Sequence, residues 1–365
     1  MNKVRLPRVD INLDKIAHNV EQLVALYGRK GIEVMGVTKT VCGDPTIAQV
    51  FVDKGIRTLS DSRIANLKTM REAGIEARFV LLRTPAMSEL DVVVKYADIS
   101  LNTELAVIQK LSTEALAQNT MHEIILMVEM GDLREGIMPE DVKSTVRKIL
   151  QMRGVRIVGI GANFACFGGV KPSPAKMNAL SQLADDLDTT FGLDLEFVSG
   201  GNSANYQWFS TCDDVGRINN LRLGESIYLG RETLEREAIP GLFTDAFTFV
   251  SEVIETKVKP SAPYGERGQD AFGNTTTFTD KGLMKRAILG SGLQDVIVTG
   301  LTPKSDIEIL GASSDHTLID TKNAPLSPGD EVAFDLDYGA LLSVMTSPYV
   351  AKKYVIATQE LNTVS

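Results

Sequence analysis

The chain has 365 residues, 44% of them hydrophobic and 23% charged, with a formal net charge of −9. That is the profile of a globular protein with one large and one smaller domain, and its acidic balance argues against nucleic acid as the main partner. No apolar run is long enough for a membrane span, the first twenty residues lack the apolar core of a secretion signal, and Cys42, Cys166 and Cys212 offer no disulfide framework, so a reducing, cytoplasmic setting without a membrane partner is expected.

In chain order, the opening "NKVRLPRVDI" is short enough to add a strand to a later domain, because chain ends often meet. A helical stretch, "NLDKIAHNVEQLVALYG", follows. Strand-like runs then recur: "EVMGVTK", "IRTLSDS", "RFVLLRT", "ADISLN", "EIILMVEM", "VRIVGIGANF", "LEFVSGGNS" and "LRLGESIYLG". Between them lie segments with helical spacing, such as "RIANLKTMREAG" and "PAKMNALSQLADDLDTTFG", several of them closing on glycine. Eight alternating units predict an α/β fold, a parallel (β/α)₈ barrel of the TIM type over residues 9–236. After Glu237 the pattern alternates with turn residues between runs, as in "DAFTFVSEVIETKVKP" and "DIEILGASSDHTLIDT". A mostly antiparallel β domain over residues 237–365 is expected, with residues 1–8 adding a strand to it.

The chemistry is first narrowed by what is missing. His18, His122 and His316 have no histidine or cysteine partner at metal-ligand spacing, so no metal is expected. A GxSxG elbow, a Walker-type loop and a GxGxxG turn are also absent. What stands out is "EVMGVTKTVCG", an apolar strand that ends in a lysine. A cation beside a buried strand is costly unless it is paired, reaches water or gives up its proton. Lys39 at a strand end could simply reach solvent, but in a barrel of this kind the strand C-termini form the active site.

Phosphate sites on such barrels commonly follow the last two strands, here "SGGNSANYQW" and "LRLGESIYLG". Gly200 and Gly201 permit close backbone approach, Ser203 supplies a hydroxyl and could cap the helix starting at "ANYQWF", and Gly224 and Glu225 offer backbone N–H groups. Each glycine pair could equally be a plain turn. A lysine facing a phosphate cradle suggests pyridoxal 5′-phosphate, bound as a Schiff base. Arg222 on the eighth strand would partner the pyridine nitrogen; a permanent cation cannot take up that proton, which suits proton exchange at Cα.

With these motifs in order, the sequence resembles the alanine racemase family of fold-type III pyridoxal-phosphate enzymes over nearly its whole length. The resemblance implies that Lys39 in "VTKT" is the Schiff-base lysine and that Arg134 in "GDLREGI" bonds the cofactor phenolic oxygen and helps hold the substrate carboxylate. It implies that Ser203 in "GGNS", Gly224 in "LRLGESIYLG" and Tyr349 in "TSPYVAKKY" reach the phosphate, and that Arg222 meets the ring nitrogen. Asn163 in "GANFACF" stands where the family usually stacks a histidine on the ring, and Ser291 in "LGSGLQDV" stands where it has its second base, a tyrosine supplied by the other subunit. The set "SDSRIANL", "GGNS", "LQDV", "ASSDH" and "SPYV" looks more like the ornithine racemase branch, which acts on a basic amino acid.

The resemblance thus implies an amino-acid racemase working by two-base proton exchange at Cα, as a homodimer with shared active sites. Lys39 serves one face. For the other, Asp315 and His316 in "GASSDHTLID" are the leading candidates, Asp315 also as the counter-charge for a cationic substrate tail; an ordinary strand or turn role for His316 stays open. Tyr264 is a further candidate base, Cys166 reads better as a packed residue, Asp61 and Arg63 as site-shaping or a plain helix cap, and Lys171 and Lys176 as surface charges. An alanine or broad-specificity racemase, and a non-catalytic pyridoxal-phosphate carrier, are the alternatives.

Overall fold

Each of the eight strand-like runs before Glu237 gives a barrel strand, three to seven residues long. The computed structural model describes residues 5–273, 275 and 277–356. Strand β1 (Arg8–Asn12) leads directly into helix α1 (Leu13–Gly28). The barrel strands are β2 (Glu33–Val37), β3 (Thr58–Asp61), β4 (Arg78–Leu81), β5 (Ile99–Asn102), β6 (His122–Met127), β7 (Val155–Gly161), β8 (Phe197–Ser199) and β9 (Asn220–Leu223). They pair in sequence order and in parallel, and β9 returns to β2, so the sheet closes without an edge.

Helices α2 (Pro45–Asp53), α3 (Ile64–Glu72), α4 (Leu90–Tyr96), α5 (Leu105–Ala117), α6 (Pro139–Ile149), α7 (Pro174–Phe191) and α8 (Tyr206–Thr211) connect them. Local chemistry sets several boundaries. Asp44 accepts from the Thr46 and Ile47 amides ahead of Pro45, and Ser173 accepts from the Lys176 amide ahead of Pro174. Met35, Val80, Ile99, Leu101, Ile125, Met127, Val158 and Phe197, from six of the eight strands, form one buried apolar cluster. Gly159 on β7 is required for closure: a Cβ there would stand 2.5 Å from the Phe197 carbonyl oxygen on β8.

Parallel register puts every strand C-terminus on one rim. Gly161 pairs with Ser199, Leu223 with Gly36, and Arg222 with Met35. One expected strand is shorter than its apolar run suggests. "LRLGESIYLG" is extended only to Leu223; Gly224 breaks it and Glu225–Leu229 forms a short helix, α9.

The chain divides into two compact units, residues 15–244 and a second made of the residues up to Asp14 with those from Asp245 onward. The second holds β10 (Phe247–Pro260), β11 (Leu283–Leu289), β12 (Leu301–Pro303), β13 (Glu308–Ala312), β14 (Thr317–Asp320) and β15 (Glu331–Leu336), ordered β12-β15-β10-β11-β14-β13 and antiparallel. β1 lies between β10, antiparallel, and β16 (Ala351–Val355), parallel. A helix, α10 (Tyr338–Thr346), interrupts the β pattern because Asp337 caps it through the Ala340 amide and its apolar residues run continuously. No helix among the described residues is long and apolar enough to cross a membrane.

Candidate active site

The lysine two residues past the first barrel strand sits on a turn fixed by its neighbours. Lys39 opens a single 3₁₀ turn, Lys39–Val41, directly after Thr38. Thr38 Oγ1 donates to Asp61 Oδ2 (2.8 Å) and lies 3.2 Å from the Ser60 carbonyl oxygen. Asp61, fully buried at the end of β3, also accepts from the Arg63 amide (2.9 Å) and from Asn66 Nδ2 (3.0 Å). Burial pushes its carboxyl above the usual range against the pull of these donors. Asp61 is therefore a clamp on the turn that carries Lys39, more than the plain helix cap weighed from sequence, while Arg63 contributes its backbone.

The last two strands bring two serines together. Ser203 Oγ lies 3.0 Å from Ser226 Oγ and accepts from the Ser226 amide (3.3 Å). The structure corrects one expectation here. Asn202, not Ser203, caps the following turn: its side chain accepts from the Ala204 amide, and Asn205 Oδ1 accepts from the Asn202 amide in return. That leaves the Ser203 hydroxyl to the cradle. Gly224 abuts the lysine strand, since a Cβ there would stand 3.1 Å from Val37 Cβ, and Tyr228 Oη donates to the Val37 carbonyl (2.8 Å). Glu225, expected for its amide, pairs its carboxylate with Arg236.

Arg222 is buried between strands. Its Nη1 donates to Ser199 Oγ (2.5 Å) and its Nη2 to the Ala162 carbonyl (2.8 Å). Burial pulls its pKa down to about 10, which leaves it cationic near neutral pH. Beyond Ala162, Asn202 Nδ2 donates to the Phe164 carbonyl (2.8 Å) and to Asn163 Oδ1 (3.2 Å), and the Cys166 thiol donates to the same Asn163 oxygen (3.4 Å). Cys166 is exposed at this rim, not packed as the sequence suggested. Asn163 Nδ2 is buried with no hydrogen-bond partner among the described residues.

Arg134 stands on the loop after β6, and both its Nε and Nη2 donate to the Glu135 carboxylate. Asp132 ties that loop to the next. Its buried carboxylate accepts from the amides of Cys166 (3.2 Å), Phe167 (3.0 Å), Gly168 (3.1 Å) and Val170 (3.3 Å). Sequence reasoning missed Asn202, Ser226, Asp132 and Glu135; the one available signal was the charge density of "GDLREGI". Lys171 pairs with Glu235 at the surface as expected, whereas Lys176 Nζ is partly buried and donates to the Met130 carbonyl (2.6 Å).

The remaining candidates lie in the β unit. Asp315 Oδ1 pairs with His316 Nδ1 (2.9 Å) and accepts from the Ser313 and Ser314 hydroxyls, which with the histidine hold its carboxyl below the usual range. The pair packs against the "SGLQD" turn, where the Leu293 and Gln294 amides donate to the Ser313 and Ser314 carbonyls. Ser291 is buried and donates to Ser251 Oγ (2.8 Å), so it presents no hydroxyl for proton transfer. Tyr264 and Tyr349 are exposed.

These groups fit pyridoxal phosphate. Lys39 would supply the amine, the Ser203–Ser226 cradle would take the phosphate, Arg222 a ring nitrogen, and the unpartnered Asn163 amide a further acceptor. Among the described residues no three His, Cys, Asp or Glu side chains gather as metal ligands.

The model of the family described as "Alanine racemase, N-terminal domain" matches residues 11–232. The chain is 40% identical over 351 residues to an ornithine racemase of Acetoanaerobium sticklandii, covering 95% of this chain and 99% of the relative. It is 41% identical over 350 residues to a lysine racemase of Thermotoga maritima, covering 95% and 98%. Among solved structures, an alanine racemase of Clostridium difficile 630 superposes with a TM-score of 0.74 at 18% identity, over 97% of each chain. An alanine racemase of Bacillus anthracis with bound L-Ala-P gives 0.75 at 17%, over 97% of this chain and 96% of that one.

Proposed function

The chain belongs to the alanine racemase N-terminal domain family, and on that premise we propose that it is a pyridoxal-phosphate-dependent racemase of basic amino acids, ornithine first among them. The observation that carries this reading is one rim of the barrel. Gly224 and Tyr228 bring the end of β9 against Val37, so the Ser203–Ser226 cradle and the buried Arg222 share the rim that Lys39 opens onto. The near-full-length likeness to an ornithine and a lysine racemase supports a basic substrate.

When bound, pyridoxal phosphate supplies an electron sink for the pair left behind when a proton leaves Cα. The chain does the rest. Ser203, Ser226 and the backbone beside Gly224 and Glu225 would hold the phosphate. Arg222, a cation that donates and cannot accept, would hold the ring nitrogen in its acceptor form and so favour return of the proton to Cα over its diversion elsewhere. Asp61, through Thr38, fixes the turn on which Lys39 would hold the cofactor and move a proton on one face. Arg134 would orient the substrate carboxylate.

Racemisation needs a second proton carrier on the opposite face. Asp315 and His316 form a ready hydrogen-bonded pair, and this pair, from a partner copy in a homodimer, would serve the second face.

The test is to incubate holoenzyme with single enantiomers of ornithine, lysine, alanine and serine in deuterium oxide, following optical rotation and Cα deuterium. Rotation should decay fastest for ornithine or lysine. The Asp315→Ala/His316→Ala variant should slow exchange from one enantiomer at least tenfold more than from the other. Undiminished rotation with every amino acid would leave a non-catalytic cofactor carrier as the better reading. Equal slowing of both enantiomers would remove Asp315 and His316 from the second face.

A further inference from the structure

The loop after β6 sets two opposite charges side by side at the rim. Arg134 turns one edge of its guanidinium, Nε and Nη2, onto both oxygens of Glu135. The two side chains are 36% and 25% exposed, so the pair is partly withdrawn from water. Arg134 is the partner that the structure gives to Glu135. The loop that carries them is pinned: Glu129 Oε1 accepts from the Gly131 and Leu133 amides, and Asp132 bonds four amides of the neighbouring loop. The pair follows the C-terminus of β6, on the rim where the barrel strands end, and Asp132 ties its loop to the one that follows Asn163.

An incoming α-carboxylate would compete with Glu135 for the same guanidinium donors. Once displaced, Glu135 would be a half-buried carboxylate without a cation, a costly state in a site that closes over its substrate. A substrate with a second ammonium removes that cost, and alanine does not. Resting on the reading of the site as a racemase of basic amino acids with Arg134 at the substrate carboxylate, we propose that Glu135 is a specificity-determining residue: it occupies Arg134 until a diamino acid splits the pair, then accepts the ammonium of the substrate side chain. Both halves of the ion pair are then matched by the two charges of one ligand. Selectivity arises as much from the stranded carboxylate with a neutral side chain as from attraction to a charged one.

L-Norvaline isolates the effect, because it has the three-carbon side chain of ornithine without the amine. Holoenzyme is titrated with L-ornithine, L-norvaline and L-alanine, reading affinity from the cofactor absorption band and kcat/KM from Cα deuterium exchange. The wild type should prefer ornithine over norvaline by tenfold or more in both readouts. Glu135→Gln should shrink that ratio at least tenfold, and Glu135→Asp should retain more of it than the glutamine variant. A ratio unchanged in Glu135→Gln, with ornithine and norvaline weakened equally, would overturn the role of Glu135 alone. If Glu135→Gln does not fold, a wild type that binds norvaline as tightly as ornithine overturns the proposal by itself. A wild type that exchanges neither ornithine nor lysine overturns the underlying reading instead.

Discussion

His122 and Asp61 are both buried and titratable, and they sit at opposite ends of barrel strands. His122 begins β6, with Nε2 2.9 Å from Ser100 Oγ. Burial lowers its pKa to about 4, against the smaller upward pull of Asp98 and Glu123. Its folded value is below its unfolded one, so the unfolded chain binds the extra proton. The stability tied to neutral His122 is therefore complete above about pH 6.5 and is lost as pH falls toward 4. By pH 5 the loss should be on the order of 2 kcal/mol. Urea midpoints measured at pH 7 and pH 5 should fall further in the wild type than in His122→Asn; an equally steep fall in the variant would mean that other groups control acid stability.

Lys39 stood out in the sequence because a cation that ends an apolar run is a chemical contradiction in need of a partner. Ser203 stood out because phosphate sites on such barrels commonly follow the last two strands, and Arg222 because it is a cation on the eighth strand beside them. The cap at Asn202 did not, and for Asp61 the site-shaping and helix-cap readings stayed open, since a polar residue at a strand end looks the same whether it caps a helix or clamps the turn beside it.

The loops after the barrel strands carry the proposed site, and one of them is tied to its neighbour by a single carboxylate. Asp132 meets four amides of residues 166–170 with one buried carboxylate, which joins the loop bearing Arg134 and Glu135 to the loop bearing Asn163 and Cys166. Asp132→Ala should strip those amides of their acceptor at a cost of roughly 2–4 kcal/mol locally. Amide hydrogen exchange over residues 166–170 should then accelerate tenfold or more while the barrel strands keep their protection. Unchanged exchange there would show that Asp132 does not hold the loops together. Such a tie cannot be read from one sequence, because its two sides are 34 to 38 residues apart and no periodicity links them. Strands and long helices could be read because each has a period. Helices α9 and α10 could not, being short apolar runs whose length suits a strand equally well.

At the scale of the whole molecule, alternation of strand and helix was enough to foresee a closed parallel barrel, since eight βα units have few other ways to bury both faces of their strands. The antiparallel β unit followed from its two-residue alternation, and β1 joins it by pairing with both β10 and β16. What the family adds is the chemistry that the barrel rim performs, and everything proposed for Glu135, Arg222 and the serine cradle depends on the cofactor being held at the end of β2. Borohydride treatment of the holoenzyme followed by peptide mapping tests that point most directly. The reduced cofactor should appear on the peptide containing Lys39 and on no other lysine; label on a different lysine, or none at all on a protein that binds the cofactor, would contradict a site at the end of β2.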